Sequence, residues 1–136
     1  MPNAIISVSD KSNLDILCPF LLEKNYTIYS TGGTYTYIRL LANNSDSIKT
    51  IESLTQFPEI LNGRVKTLHP KIYAGLLYDP DIPDHQEDFN KYNNSNNENY
   101  NLHKIDLVVV NLYPFETVVK NKNSTHEEII ENIDIG

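Results

Sequence analysis

The sequence predicts an α/β fold: a three-layer sandwich with a mainly parallel central sheet and helices on both faces. Three observations carry the prediction. Short apolar runs recur along the chain and alternate with segments of helical spacing, the order expected of strand–helix units. One run, IDLVVVNL from Ile105 to Leu112, is aliphatic and β-branched through its centre, as strands buried on both faces of a parallel sheet are. Three of the runs also end in small, polar or glycine residues, where open parallel sheets place their ligands.

The elements follow in order. Ala4 to Val8 reads as a first strand, closed by Ser9 and Asp10. Ser12 is placed to cap a helix through LDILCPFLLEK to about Lys24. Pro19 inside it removes a hydrogen bond and crowds the preceding turn, which predicts a kink or a late start. Tyr26 to Ser30 is a second strand. Thr31-Gly32-Gly33-Thr34 then opens a second helix through Tyr37, Leu40 and Leu41, ended by Asn43 and Asn44. Ile48 to Ile51 gives a third strand, and Leu54 to Leu61 a short helical or irregular link.

Asn62 to Lys71, NGRVKTLHPK, is bracketed by Gly63 and Pro70 and reads as a shaped loop. Ile72, Ala74, Leu76 and Leu77 mark a further, partly buried element. Residues 79–101 are acidic, then rich in Asn, with few aliphatic side chains to offset the entropy of ordering, and are read as a mobile surface insertion. They do not divide the chain into domains, because the Ile105–Leu112 strand continues the sheet pattern begun before them. Pro114 suits the first position of a helix. Ser124 and Glu127 form a capping box for a last helix through Ile129, Ile130 and Ile133.

Bulk composition narrows the function. The chain has 136 residues, enough for one domain with a core. Its net charge of −7 argues against a nucleic-acid polymer or an anionic membrane as partner, since both need a broad positive footprint. A small phosphorylated ligand needs only a few cations in one place. Cys18, the single cysteine, has no partner for an internal disulfide and fits a reducing compartment as a buried thiol. With no basic, apolar leader and no apolar stretch near 18 residues, the expected location is cytoplasmic. His69, His85, His103 and His126 show no metal-ligand spacing, so no metal is assigned.

Those few cations are present. Ile60 to Tyr78 contains no Asp or Glu, yet holds Arg64, Lys66, Lys71 and His69. Gly32 and Gly33 let a backbone approach an anion closely, and the following helix start offers free N–H groups and a partial positive charge. Thr31 and Thr34 add hydroxyls, and Lys11 follows the first strand. The residues alone therefore describe an α/β domain that binds a small anion.

SVSDK, STGGT, FPEILNGRVKTLHPKI, IDLVVVNLYPFE and ENIDIG occur in this order. Together they resemble the N-terminal cyclohydrolase domain of the bifunctional formyltransferase/inosine monophosphate cyclohydrolase family of purine biosynthesis, over nearly the whole chain except the Asn-rich insertion. The resemblance implies a methylglyoxal-synthase-like fold. It also implies a reaction in which the carboxamide nitrogen of a formylated aminoimidazole ribonucleotide attacks the formyl carbon, water leaves, and inosine monophosphate forms without metal or organic cofactor. It places Ser9, Asp10, Lys11, Thr31, Gly32, Gly33, Thr34, Arg64, Val65, Thr67, Asn111, Leu112 and Gly136 in the nucleotide site, with Asp134 and Ile135 closing the base end. Lys66, Tyr113 and Asp134 match catalytic positions.

The phosphate is expected on Lys11 and the Gly32–Thr34 turn, with the cationic loop serving the base end. A homodimer is expected from the family. Relatives continue past IDIG with a lysine-bearing segment and a large transformylase domain. The 136-residue chain is therefore expected to be a truncated domain that folds, binds nucleotide weakly and turns over poorly. There are two alternatives: a methylglyoxal synthase-type lyase of the same fold and, from a different class, a non-catalytic nucleotide-binding regulatory module.

Overall fold

The computed structural model describes residues 1–96 and 101–133. At its centre lies a parallel four-stranded sheet in the order β3-β2-β1-β4. The strands are β1 (Asn3–Ser7), β2 (Thr27–Ser30), β3 (Ile48–Thr50) and β4 (Leu107–Val110). Ile5 stands opposite both Tyr29 and Val108, and this register lines up the carboxyl ends of the strands.

Alternation along the strands builds two cores. Ala4, Ile6, Val8, Ile28 and Ile48 turn to one face, where they meet Leu14, Cys18 and Leu21 of α1 (Leu14–Glu23) and Ile38 of α2 (Gly32–Leu41). Ile5 and Tyr29 take the opposite face with Ile51 and Leu54 of α3 (Ile51–Thr55), Ile72 of α4 (Pro70–Leu77) and Ile105. Each fully buried aliphatic side chain contributes about 1.5–3 kcal/mol. Helices on both faces of a parallel sheet are the three-layer arrangement expected from the sequence.

Several local readings shift. Helix α1 runs through Pro19, and its cap position is Asn13, in left-handed conformation at φ 66° with no side-chain cap. Ser12, expected as the cap, instead donates its hydroxyl and its N–H to the Asp10 carboxylate. β4 is not the fully buried strand that its composition suggested. It lies at the sheet edge, and Val108 and Val110 are 40% and 57% exposed on a face that α4 covers only in part.

Pro114 sits one residue ahead of α6 (Phe115–Lys120), at its cap position. The last helix, α7 (His126–Glu131), is capped by Thr125, whose hydroxyl accepts the Glu128 N–H at 3.1 Å, and not by Ser124. Within 79–101, read as a mobile insertion, the structure forms α5 (Pro83–Asn93), with no buried residue. Pro83 starts it, and Phe89 stacks on Tyr78 at 4.0 Å between ring centroids, so aromatic contact supplies what aliphatic residues do not.

The excursion from α4 to β4 is tied at its base. The Gly75 carbonyl accepts the Ile105 N–H at 3.0 Å, and Asp106 donates to the Asn3 carbonyl at 2.8 Å. Asn93 bonds Leu102 twice, accepting its N–H at 2.7 Å and donating to its carbonyl at 3.2 Å. Contact at Gly75 is too close for any other residue, since a Cβ there would lie 2.2 Å from the His103 carbonyl oxygen.

Candidate functional site

The ends of β1 and β2 and the start of α2 enclose a polar pocket of about 160 Å3. Ser7, Val8, Ser9, Lys11, Thr31, Gly32, Gly33, Thr34, Lys66 and Tyr113 line it. Most of the residues expected to hold a phosphate are therefore in one place. Gly32 adopts φ +44°, a conformation that side chains disfavour, and nothing lies within 4 Å of where a Cβ of Gly32 or Gly33 would stand. As at any α-helix N-terminus, the first N–H groups of α2 have no partner within the helix. Gly32, Gly33 and Thr34, at that start, line this pocket, at the positive end of the helix dipole.

The hydroxyls have a different part from the one the sequence suggested. Thr34 Oγ1 donates to the Val8 carbonyl at 2.9 Å and accepts the Val8 N–H at 3.3 Å. Thr31 Oγ1 and Ser7 Oγ share a hydrogen bond of 2.9 Å. A threonine hydroxyl has one hydrogen to give, and that of Thr34 is spent on the strand. These side chains fasten the turn to β1, while the backbone N–H groups and Lys11 face the pocket. Ser30 adds a third tether, donating to the Ile6 carbonyl at 2.6 Å.

Asn111 and Asp10 also hold the frame. The Asn111 Oδ1 accepts the N–H groups of Ser9 and Asp10 at 2.7 and 3.3 Å, and its Nδ2 returns a bond to the Asp10 carbonyl at 2.9 Å. The end of β4 is thereby clipped to the loop after β1. Hydrogen bonds from Ser12, first the hydroxyl and then the N–H, hold the Asp10 carboxyl below its ordinary pKa. Lys11 Nζ curls back to the carbonyls of Val8 and Ser9 at 3.5 and 3.4 Å.

The cationic loop is a tight hairpin. Ile60 and Val65 form an antiparallel bridge, and Leu61, Asn62 and Gly63 between them all have positive φ. Lys66 projects from it to the pocket, with Nζ 3.2 Å from the Tyr113 hydroxyl and 5.7 Å from that ring's centroid. Lys66 also lines two neighbouring cavities. One, of about 300 Å3, adds Ser30, Tyr35, Thr50, Glu52 and Glu59; the other, of about 240 Å3, is mostly apolar and adds Arg64, Thr67, Ile72 and Val110.

His69 caps α4, its Nδ1 accepting the Lys71 N–H at 3.1 Å, and burial with the Lys71 charge lowers its pKa toward the neutral form.

Four expected residues line none of these three cavities: Asp10 and Asn111 are spent on the frame, Val65 on the hairpin bridge, and Leu112 is 70% exposed. Asp134, Ile135 and Gly136 lie outside the described residues. Ser7, Glu52, Glu59 and Glu131 were not among the expected site residues. Alternation along β1 marks Ser7 as a polar residue at a strand end. Nothing in the sequence links Glu131 to Arg64, 67 residues away, yet its Oε1 accepts both Nε and Nη2 of Arg64 at 3.2 and 3.1 Å.

The chain is similar to known proteins. The chain is 48% identical over all 136 residues to the bifunctional purine biosynthesis protein PurH of Staphylococcus saprophyticus. It is 44% identical over 133 residues to the protein of the same description from Dictyostelium discoideum. It spans about a quarter of the length of these relatives, 25% and 22%. The crystal structure of ForH superposes with a TM-score of 0.60 at 31% identity, covering 79% of this chain and 50% of that one. No helix among the described residues is long and apolar enough to cross a membrane. A family model described as the MGS-like domain matches residues 16–136, a span that holds the glycine turn, the cationic hairpin and β4, and so this chain belongs to the MGS-like domain family.

Proposed function

We propose that this chain is the inosine monophosphate cyclohydrolase domain of a purine biosynthesis protein, acting on a purine-precursor ribonucleoside monophosphate in the cytoplasm as a homodimer. One observation carries the reading: Lys66 and Tyr113 meet at 3.2 Å on the wall of the pocket that Lys11 and the start of α2 create. A phosphate in that pocket puts the rest of a nucleotide beside the Lys66 ammonium. The identity to PurH proteins supports the same reaction.

Ring closure needs three things from the protein. The phosphate must be held so that the carboxamide nitrogen reaches the formyl carbon of the same molecule, a gain from fixed geometry. The α2 N–H groups and Lys11 supply the anchor. Negative charge then grows on the formyl oxygen, and the Lys66 ammonium, oriented by the Tyr113 hydroxyl, offsets it; one such donor is worth about 10²–10³ in rate. An amide nitrogen attacks only as its proton leaves, and Asp134 is proposed as the acceptor. The carboxamide proton passes on to the former formyl oxygen, a second proton comes from the formylated ring amine as its C=N bond forms, and the C–O bond breaks to release water and leave the closed ring.

Calorimetric titration of the 136-residue chain with inosine monophosphate, and with dihydroxyacetone phosphate as control, tests the reading. Selective nucleotide binding is expected. Preference for the triose phosphate, or no nucleotide binding, overturns it.

A further inference from the structure

We propose that Glu131 is a positioning residue for Arg64, holding one edge of the guanidinium so that the other edge serves the base end of a bound purine nucleotide. The inference rests on the nucleotide reading above and adds a residue to it.

Arg64 sits between two cavities. On one side is the apolar cavity that it shares with Lys66 and Thr67; on the other is an acidic one of about 580 Å3, with Glu127, Glu128 and Glu131. Nε and Nη2 both turn to the acidic side and meet the same Glu131 oxygen at 3.2 and 3.1 Å. A guanidinium carries five N–H donors in a rigid plane, so fixing this edge fixes the direction of the rest. The two Nη1 hydrogens have no protein partner among the described residues.

Both ends of the contact are anchored. The Ile60–Val65 bridge sets the hairpin that carries Arg64, and the Thr125 cap starts the helix that carries Glu131. Arg64 is 44% exposed, and a long exposed side chain without this partner would have to be ordered by the ligand, at a cost in affinity. The carboxylate does that ordering beforehand. It also offsets the Arg64 charge, which leaves the pocket of Lys11 and the α2 start as the better place for a phosphate.

The pair is half exposed, so its effect is modest. Exposed ion pairs of this kind are worth about two- to fivefold in an equilibrium constant. Glu131→Gln is expected to weaken inosine monophosphate by about threefold in calorimetry while leaving ribose 5-phosphate, which lacks a base, unchanged. Glu131→Asp restores part of the loss, and Glu127→Gln, on the same helix and without the contact, has no effect. In an Arg64→Gln background, Glu131→Gln causes no further loss.

Equal weakening of both ligands means that the helix has shifted and overturns the inference, as does an undiminished effect in the Arg64→Gln background. If the unaltered chain binds inosine monophosphate but Glu131→Gln matches it, the inference fails and the nucleotide reading stands. If the unaltered chain does not bind it, both fail.

Discussion

Replacing Thr34 by valine exchanges a hydroxyl for a methyl of nearly equal volume, leaving the turn's shape and its glycines untouched. Thr34 is 4% exposed, and its oxygen bonds the Val8 carbonyl at 2.9 Å and the Val8 N–H at 3.3 Å. Valine can satisfy neither group; Val8 is only 8% exposed, its N–H is left bare and its carbonyl keeps only the long 3.5 Å contact from Lys11 Nζ. A buried backbone group left without a partner costs about 1–3 kcal/mol. The longer bond belongs at the low end of that range, so the two together cost about 2–4 kcal/mol.

For a domain of this size about 3–5 °C of melting temperature accompanies each kcal/mol, which gives a fall of about 6–20 °C. Thr34→Ser keeps the hydroxyl and loses one methyl, at about 1 kcal/mol. Thermal and urea unfolding of the three proteins, followed by circular dichroism, separates these outcomes. A valine variant within about 0.5 kcal/mol of the unaltered chain, or a serine variant as unstable as the valine one, would refute the tether.

Two further outcomes follow from the same geometry. Lys66→Met removes the ammonium that meets Tyr113 and keeps most of the stem. Inosine monophosphate affinity should fall by about tenfold or more, as for a lost hydrogen bond from a charged group, with the melting temperature changed by no more than about 2 °C; calorimetry and a melt check both. Burial pushes the Cys18 thiol up from its ordinary 9.0 to about 11. The folded chain should therefore resist iodoacetamide at pH 8 and react once unfolded in urea. Between pH 9 and 11 the unfolded thiol gives up its proton while the folded one keeps it, so stability is intact below that window and falls as pH rises through it.

The sheet was legible because its signals are local and repeated. Ala4, Ile6 and Val8 alternate with Ile5 and Ser7, and both faces of β1 follow from that alone. The glycine turn was legible because a left-handed φ leaves few other residues favourable at Gly32. Adjacent signals of equal strength were not resolvable: Ser124 with Glu127 and Thr125 with Glu128 both spell a capping box, and the fold uses the second. The burial of β4 was overstated because composition reports what a strand can bury, while sheet order decides what it does bury. α5 was missed because aliphatic content was weighed and the Tyr78–Phe89 stack was not.

The site divided in the same way. Lys11, Lys66 and the glycines come to one pocket because each belongs to a strand end or a shaped loop. The roles of Thr34 and Asn111 could not be read from sequence, since a hydroxyl or amide that faces ligand and one that faces backbone are spelled alike. Arg64 and Glu131 meet only through the fold.

The double tie beneath the α4–β4 excursion also separates two things that a chain usually changes together, the length of a connection and the placement of what it connects. Gly75 and Ile105 meet whatever lies between them, and Asp106 is held to Asn3 on the neighbouring strand. Each doubling of a flexible loop costs only about 0.6 kcal/mol in closure. Sequence added or removed between Asn93 and Leu102 therefore leaves the register of β4, and with it Asn111 and Tyr113, where they are. A lineage drifting in composition can spend its changes there, and an experimenter can insert a fluorophore, an epitope or a surface tether in the same stretch without disturbing the pocket.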